Sequence, residues 1–160
     1  MAKVKKADDE RRSSRAVVGW REWAHLPDFD VRWLKTKIDT GARTSSLHAE
    51  DIEAFTVDDA PWVRFVVYPK QRVQTVSHTL EAPLLEHRVV RSSNGQEEER
   101  PVIETTLQLG ADRWPIELTL ARREGMGFRM LIGRQGLRGH VVVDPGRSFV
   151  QGRRKKKKPA

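Results

Sequence analysis

Cysteine is absent from all 160 residues, which rules out a disulfide framework and any thiolate metal site. No run approaches the roughly 20 apolar residues that a membrane-crossing helix needs. The first fifteen residues are charged throughout and lack the apolar stretch of a secretory leader. A cytoplasmic protein with no membrane partner is the expectation. Also missing are the Gly-x-x-x-x-Gly-Lys-Ser/Thr loop that cradles nucleotide phosphates and the His-Glu-x-x-His helix of zinc peptidases. His25, His48, His78, His87 and His140 are scattered without ligand spacing, so no metal and no cofactor is expected. Helical periodicity is scarce: 135–139 can make one turn, and 46–52 is ambiguous. No segment repeats another, so the chain does not carry two copies of any unit.

The length suits one domain with a real core. The net charge of +8 is unevenly placed. Residues 1–15 contribute +3, with six Lys/Arg against Asp8, Asp9 and Glu10. Arg153, Arg154 and the four lysines 155–158 contribute +6, which leaves the body of the chain at −1. Blocks of like charge repel and stay solvated. The expected layout is a basic and polar disordered tail over 1–16, an ordered domain over 17–150, and a basic disordered tail over 151–160. Solvated tails are the favoured reading, and attraction to RNA or another polyanion is the alternative.

Within the ordered part, short runs rich in Val, Ile, Thr and aromatics are separated by turn residues. Strands are expected over 31–39, 62–68, 87–91, 101–109, 114–120, 128–132 and 141–144. Asn94-Gly95 marks a hairpin turn, and Gly110-Ala111-Asp112 marks another. Alternation runs through Val102, Glu104, Thr106 and Gln108 and again through Ile116, Leu118 and Leu120, which puts one face inward and one outward. Many short strands of this kind predict an all-β barrel or sandwich.

Two segments carry chemistry. In Lys37-Ile38-Asp39-Thr40-Gly41-Ala42, an acid ends an apolar strand and is followed by a small hydroxyl residue and a glycine. Gly41 permits a backbone path close to another chain or a ligand. Thr40 offers a hydroxyl, and Ala42 keeps the wall beside Asp39 thin. Alone, the triplet reads equally well as an Asp that ends a strand at a turn. The second segment is Met130-Leu131-Ile132-Gly133-Arg134, with Gly133 standing 94 positions after Asp39.

In that order, the two segments resemble the landmarks of the retropepsin-like aspartic peptidases, and the resemblance covers most of 17–150. Residues 37–49 (KIDTGARTSSLHA), 91–103 (RSSNGQEEERPVI) and 128–134 (FRMLIGR) are similar to a bacterial retropepsin-like family labelled as an ATP-dependent zinc protease. The resemblance implies an all-β, retropepsin-like closed barrel with one short C-terminal helix, acting as a twofold homodimer on a peptide or protein. It implies that the apolar-apolar-Gly strand crosses behind the Asp-Thr-Gly loop. Asp39 and its copy in a second subunit would share a proton, one carboxylate activating water while the other polarises the scissile carbonyl. Thr40 would lock the two turns together, and Gly41 would accept substrate backbone bonds. Ala42, Arg43, Asn94, Gly95 and Ile132 would line the substrate site, with Asn94-Gly95 at the tip of a flap hairpin. The zinc and ATP of the label have no counterpart in these residues.

The chain also departs from the retroviral pattern. Those enzymes usually place an acid after the Ala, where this chain has Arg43. Arg43 could lower the dyad pKa, meet a substrate carboxylate, or pair internally with Asp51 or Glu53, and the internal pair is favoured. The stretch between the landmarks is longer, with an extra hairpin expected over 54–85. Glu97-Glu98-Glu99-Arg100 is expected to be a solvated strand face, and Arg134 to brace the fold or dimer. The bacterial family is associated with ATP-grasp peptide ligases, which makes a ligase-made amide a candidate substrate class. The alternative is a non-catalytic barrel that binds peptides or, through its basic tails, nucleic acid.

Overall fold

A computed structural model of the chain describes residue 6 and residues 14–69, 77–92, 94–122 and 127–152. Both expected tails lie largely outside this set. The elements in chain order are β1 (Ala16–Val18), β2 (Arg21–Leu26), a 3-10 turn (Pro27–Phe29), β3 (Val31–Ile38), β4 (Ser45–His48), β5 (Glu50–Val57) and β6 (Ala60–Val67). They continue with β7 (His78–Pro83), β8 (Glu86–Arg91), β9 (Glu97–Leu109), β10 (Asp112–Ala121), β11 (Met130–Ile132), α1 (Arg134–Leu137) and β12 (Val141–Val143).

Six strands close a mixed barrel in the order β10-β4-β11-β3-β2-β9, with β9 pairing back to β10. The β10–β4 and β11–β3 pairs are parallel and the others antiparallel. Closure removes the free edges that a flat sheet would leave. The barrel is filled by Leu34, Leu47, Ile103, Leu107, Leu118, Met130 and Ile132, all fully buried. Burying each such side chain stabilises the fold by about 1.5–3 kcal/mol. In β10 the inward set is Ile116, Leu118 and Leu120, as the alternation indicates. In β9 it is Ile103, Thr105, Leu107 and Leu109, so Glu104, Thr106 and Gln108 face outward.

Two elements differ from expectation. β2 is invisible in the sequence pattern because an acid, Glu22, occupies an inward position and is fully buried. Glu22 accepts backbone N–H bonds from Gly19 (2.6 Å), Val150 (3.0 Å) and Gln151 (3.0 Å), which offsets the cost of its burial. The extra hairpin is a three-stranded antiparallel sheet, β5-β6-β7, which lays Val63, Phe65, Val67 and Ala82 against the barrel. Residues 70–76 of that region lie outside the described set. Asp58 and Asp59 link β5 to β6 with positive φ (49° and 64°), the backbone of a two-residue hairpin turn.

β8 pairs with β9 and extends beyond the barrel as an edge strand. The 92–96 turn joins them, with Gly95 at φ 83°. This is the hairpin expected around Asn94-Gly95. β1 and β12 form a separate parallel pair.

Candidate active site

β11 lies between β3 and β4, parallel to one and antiparallel to the other. Ile132 is in register with Ile38, and its carbonyl accepts the Asp39 N–H at 2.9 Å, one residue past the end of β3. The chain then turns back on Asp39 itself. The Ala42 N–H reaches the Asp39 carbonyl (3.2 Å), while the N–H groups of Gly41 and Ala42 reach Oδ1 (3.0 and 3.2 Å). Oδ1 is therefore held by the turn. Oδ2 has the Lys37 ammonium at 3.9 Å, and the side chain is 26% exposed. An aspartate in this position has one oxygen fixed and one available for chemistry.

The wall behind the turn is built on Gly133. A Cβ there would stand 2.5 Å from the Thr44 carbonyl oxygen and 2.8 Å from that of Ala42, so only glycine fits. The Gly133 N–H donates to the buried Ser45 hydroxyl at 3.1 Å, and the Arg134 N–H donates to the Ala42 carbonyl at 2.8 Å. The Arg134 guanidinium donates to the Thr40 carbonyl at 2.9 Å, the bracing role expected of it. Trp114 fixes α1 through its indole N–H on the Gly136 carbonyl (2.7 Å). Ile132 is fully buried in the core. Its expected place on a substrate wall is thus corrected: its side chain packs inside the barrel, and its carbonyl positions Asp39. Ser45 went unnoticed in the sequence because it opens a four-residue strand, Ser-Ser-Leu-His, that shows no apolar period.

Asp39, Gly41, Ala42 and Arg43 open onto a cleft of about 1220 Å³ whose opposite side is the β8–β9 hairpin. The predicted turn and the predicted flap thus share one cavity, with Asn94 on its rim. Among the described residues, Lys37, Arg43, Arg88, Arg91, Arg100 and Arg122 line it against the acids Asp39, Glu98 and Glu117. Glu98 and Arg100 therefore belong to the cleft instead of a plain solvated face. Arg88 is held by Glu86 (2.8 Å) and Glu117 (2.8 Å), and the Glu117 bond is the main reason its pKa is pushed further up. Arg43 is exposed, and among the described residues it pairs with neither Asp51 nor Glu53, since Glu53 meets Arg64. The internal pair expected of it is corrected accordingly, and its charge is left for the cleft. At the flap, the Gly95 N–H closes the turn on the Ser92 carbonyl (2.9 Å), and the Gln96 N–H reaches Asn94 Oδ1 (3.3 Å). These tip amides hold the hairpin.

The zinc and nucleotide of the family label do not fit these residues. Among the described residues no three His, Asp or Glu side chains converge as ligands. His25 accepts the Trp33 N–H, and His140 stacks on Trp114 at 4.7 Å. No glycine-rich phosphate loop precedes the one short helix.

Known proteins share this architecture. The chain is similar to the crystal structure of a protein of unknown function from Legionella pneumophila, with TM-score 0.71 and 28% identity, covering 86% of this chain and 99% of that one. It is 47% identical over 129 residues to a protein named "Probable alpha-L-glutamate ligase" from Parasynechococcus marenigrum, covering 81% of this chain and 28% of that protein. It is 40% identical over 136 residues to one of the same name from Shewanella pealeana, covering 85% and 30%. The chain thus spans under a third of the length of these relatives. Residues 17–154 match the family described as RimB-like, retropepsin-like aspartic endopeptidase RimB, and the chain belongs to that family.

Proposed function

We propose that two copies of this chain form an amide hydrolase for glutamate-rich peptides, with the two Asp39 carboxylates as its acid–base pair. The observation that carries this reading is the shared cleft, where six cationic side chains outnumber three acids among the described lining residues. A negatively charged peptide is drawn into such a cleft. The name of the relatives, alpha-L-glutamate ligase, supports glutamyl amides as the substrate bonds.

The chain supplies one Asp-Thr-Gly turn, so the second carboxylate comes from a twofold copy. Thr40 is exposed on the rim of a second cavity of about 690 Å³, lined also by Leu137, Val141 and Val143, and this is the surface on which the copy sits. Two carboxylates about 3 Å apart cannot both ionise, so they share one proton. The ionised one removes a proton from water, and the oxygen attacks the amide carbon. The protonated one donates to the carbonyl oxygen. Collapse of the tetrahedral species returns a proton to the leaving amine and breaks the C–N bond. The fixed Oδ1 keeps each carboxylate in place through these transfers.

The test is hydrolysis of an α-linked oligoglutamate by wild type and Asp39→Asn, followed as release of new amines. Wild type cleaves, and the variant loses about 10²–10⁴-fold or more while keeping its melting temperature. Equal cleavage by both removes Asp39 from the mechanism. Binding by both without cleavage replaces the hydrolase with a peptide-binding barrel.

A further inference from the structure

We propose that the outer face of β2 and β3 docks a single-stranded polynucleotide, a reading independent of the Asp39 chemistry. Arg21, Trp23 and His25 of β2 and Trp33, Lys35 and Lys37 of β3 all point outward. Arg21 stands opposite Lys37, and Trp23 opposite Lys35. Trp20 and Phe128 extend the row, their rings edge to face at 6.0 Å. Every one of these side chains is half-buried, with part of its surface open to solvent.

Cations here lie on rings. The Arg21 guanidinium sits 4.8 Å from the Trp20 ring and 4.9 Å from that of Phe149, and the Lys35 ammonium 5.3 Å from that of Phe128. Elsewhere arginines meet carboxylates: Arg88 meets Glu117, Arg100 meets Glu98, and Arg64, which also lies 4.9 Å from the Phe55 ring, meets Glu81. Among the described residues no carboxylate pairs with Arg21 or Lys35. Glu22 points inward, and Asp30 and Asp39 stand at the two ends of the face, beside Arg32 and Lys37. A guanidinium over a ring keeps its N–H edge for an oxyanion, and among the described residues Arg21 is engaged through Nε alone, by Ser148 (3.2 Å). Alternating cations and aromatic rings are what a single strand requires: phosphates meet the charges, and bases stack on the rings. Burial, then Arg32 and Arg113, lower the His25 pKa.

The C-terminal sequence brings further charge along the chain. Phe149 stacks on Trp23 at 5.4 Å, and four positions later the sequence turns into Arg153, Arg154 and four lysines. The Trp23–Phe149 stack also anchors this segment to the barrel. That role by itself leaves Trp20, Phe128 and Lys35 without a purpose on the surface.

The experiment titrates the full chain with oligouridylate and oligodeoxythymidylate at several salt concentrations, reading tryptophan fluorescence. Expected are quenching by both strands and a Lys35→Gln variant whose log–log salt slope falls by about 0.7, the share of one phosphate contact on a single strand. Trp20→Leu weakens binding by about fivefold or more. Replacing the six cations of 153–158 by serine weakens binding but leaves the quenching. The proposal is overturned by no binding to the intact chain, or by loss of all binding in the serine variant with none of the effect in Lys35→Gln. It is equally overturned if polyglutamate of equal charge displaces the strand one for one, since that face would then read an acidic protein. Lys35→Gln keeps the test decisive should Trp20→Leu not fold.

Discussion

Gly41 and Gly133 stand on either side of the same turn and do different work. A Cβ on Gly133 meets two backbone carbonyl oxygens at 2.5 and 2.8 Å, neither of which can rotate away. Gly133→Ala should therefore cost about 1–3 kcal/mol or more, read as a lower denaturant midpoint with unchanged slope. A Cβ on Gly41 meets only Asp39 Oδ1, at 3.2 Å. Gly41→Ala should cost under about 1 kcal/mol of stability yet lower the hydrolytic rate about tenfold or more, because it displaces the reacting carboxylate. If the two variants lose stability equally, the division between wall and chemistry is wrong. The turn was legible in the sequence because its parts are local: an acid, a hydroxyl residue and a glycine in consecutive places. Ile132 was misread because spacing along a chain does not say which way a side chain points. In a three-residue strand squeezed between two others, it points into the core.

At the level of elements, strands with one apolar and one polar face could be read directly, and β10 is the clearest example. β2 could not, because its inward row includes Glu22, whose partners lie up to 129 positions away and cannot be seen locally. The 3-10 turn between β2 and β3 shows the same long reach. Asp28 Oδ2 accepts the Thr106 N–H (2.9 Å) and the Thr105 hydroxyl (3.1 Å), tying the turn to the middle of β9. The Thr106 N–H is the main reason the Asp28 carboxyl titrates below its usual range, against a smaller opposing effect of burial. A carboxyl whose pKa is depressed by folding contributes stability that is complete above its unfolded value, about 3.9, and is lost as pH falls through the lower folded value. Asp28→Asn should therefore be less stable near neutral pH and should show a shallower loss of stability below about pH 4. Parallel curves for the two proteins in urea titrations across that range would remove Asp28 from the acid response.

On the scale of the whole molecule, residues 17–19 and 149–151 are clasped to the barrel around Glu22. Its carboxylate takes the N–H groups of Gly19, Val150 and Gln151, the Phe149 N–H reaches the Arg21 carbonyl at 2.9 Å, and the Gln151 side chain donates to the Val17 carbonyl at 2.7 Å. Glu22→Ala leaves three donors without their acceptor and should cost about 2–4 kcal/mol, and Glu22→Gln should cost less. Release of the 148–152 segment should appear as earlier proteolysis at that end.

Subunit mixing tests the assembly itself. If each site needs an Asp39 from both copies, only pairs of wild-type subunits hydrolyse. After exchange, an equal mixture of wild type and Asp39→Asn then has about one quarter of the activity of the same total of wild type, as random pairing requires. If each chain works alone, the mixture retains one half. The two outcomes differ by a factor of two at fixed protein concentration, well within the reach of an amine-release assay. A value of one half would leave the Asp39 turn as a complete site, and the cationic cleft, not a second carboxylate, would have to supply the missing acid.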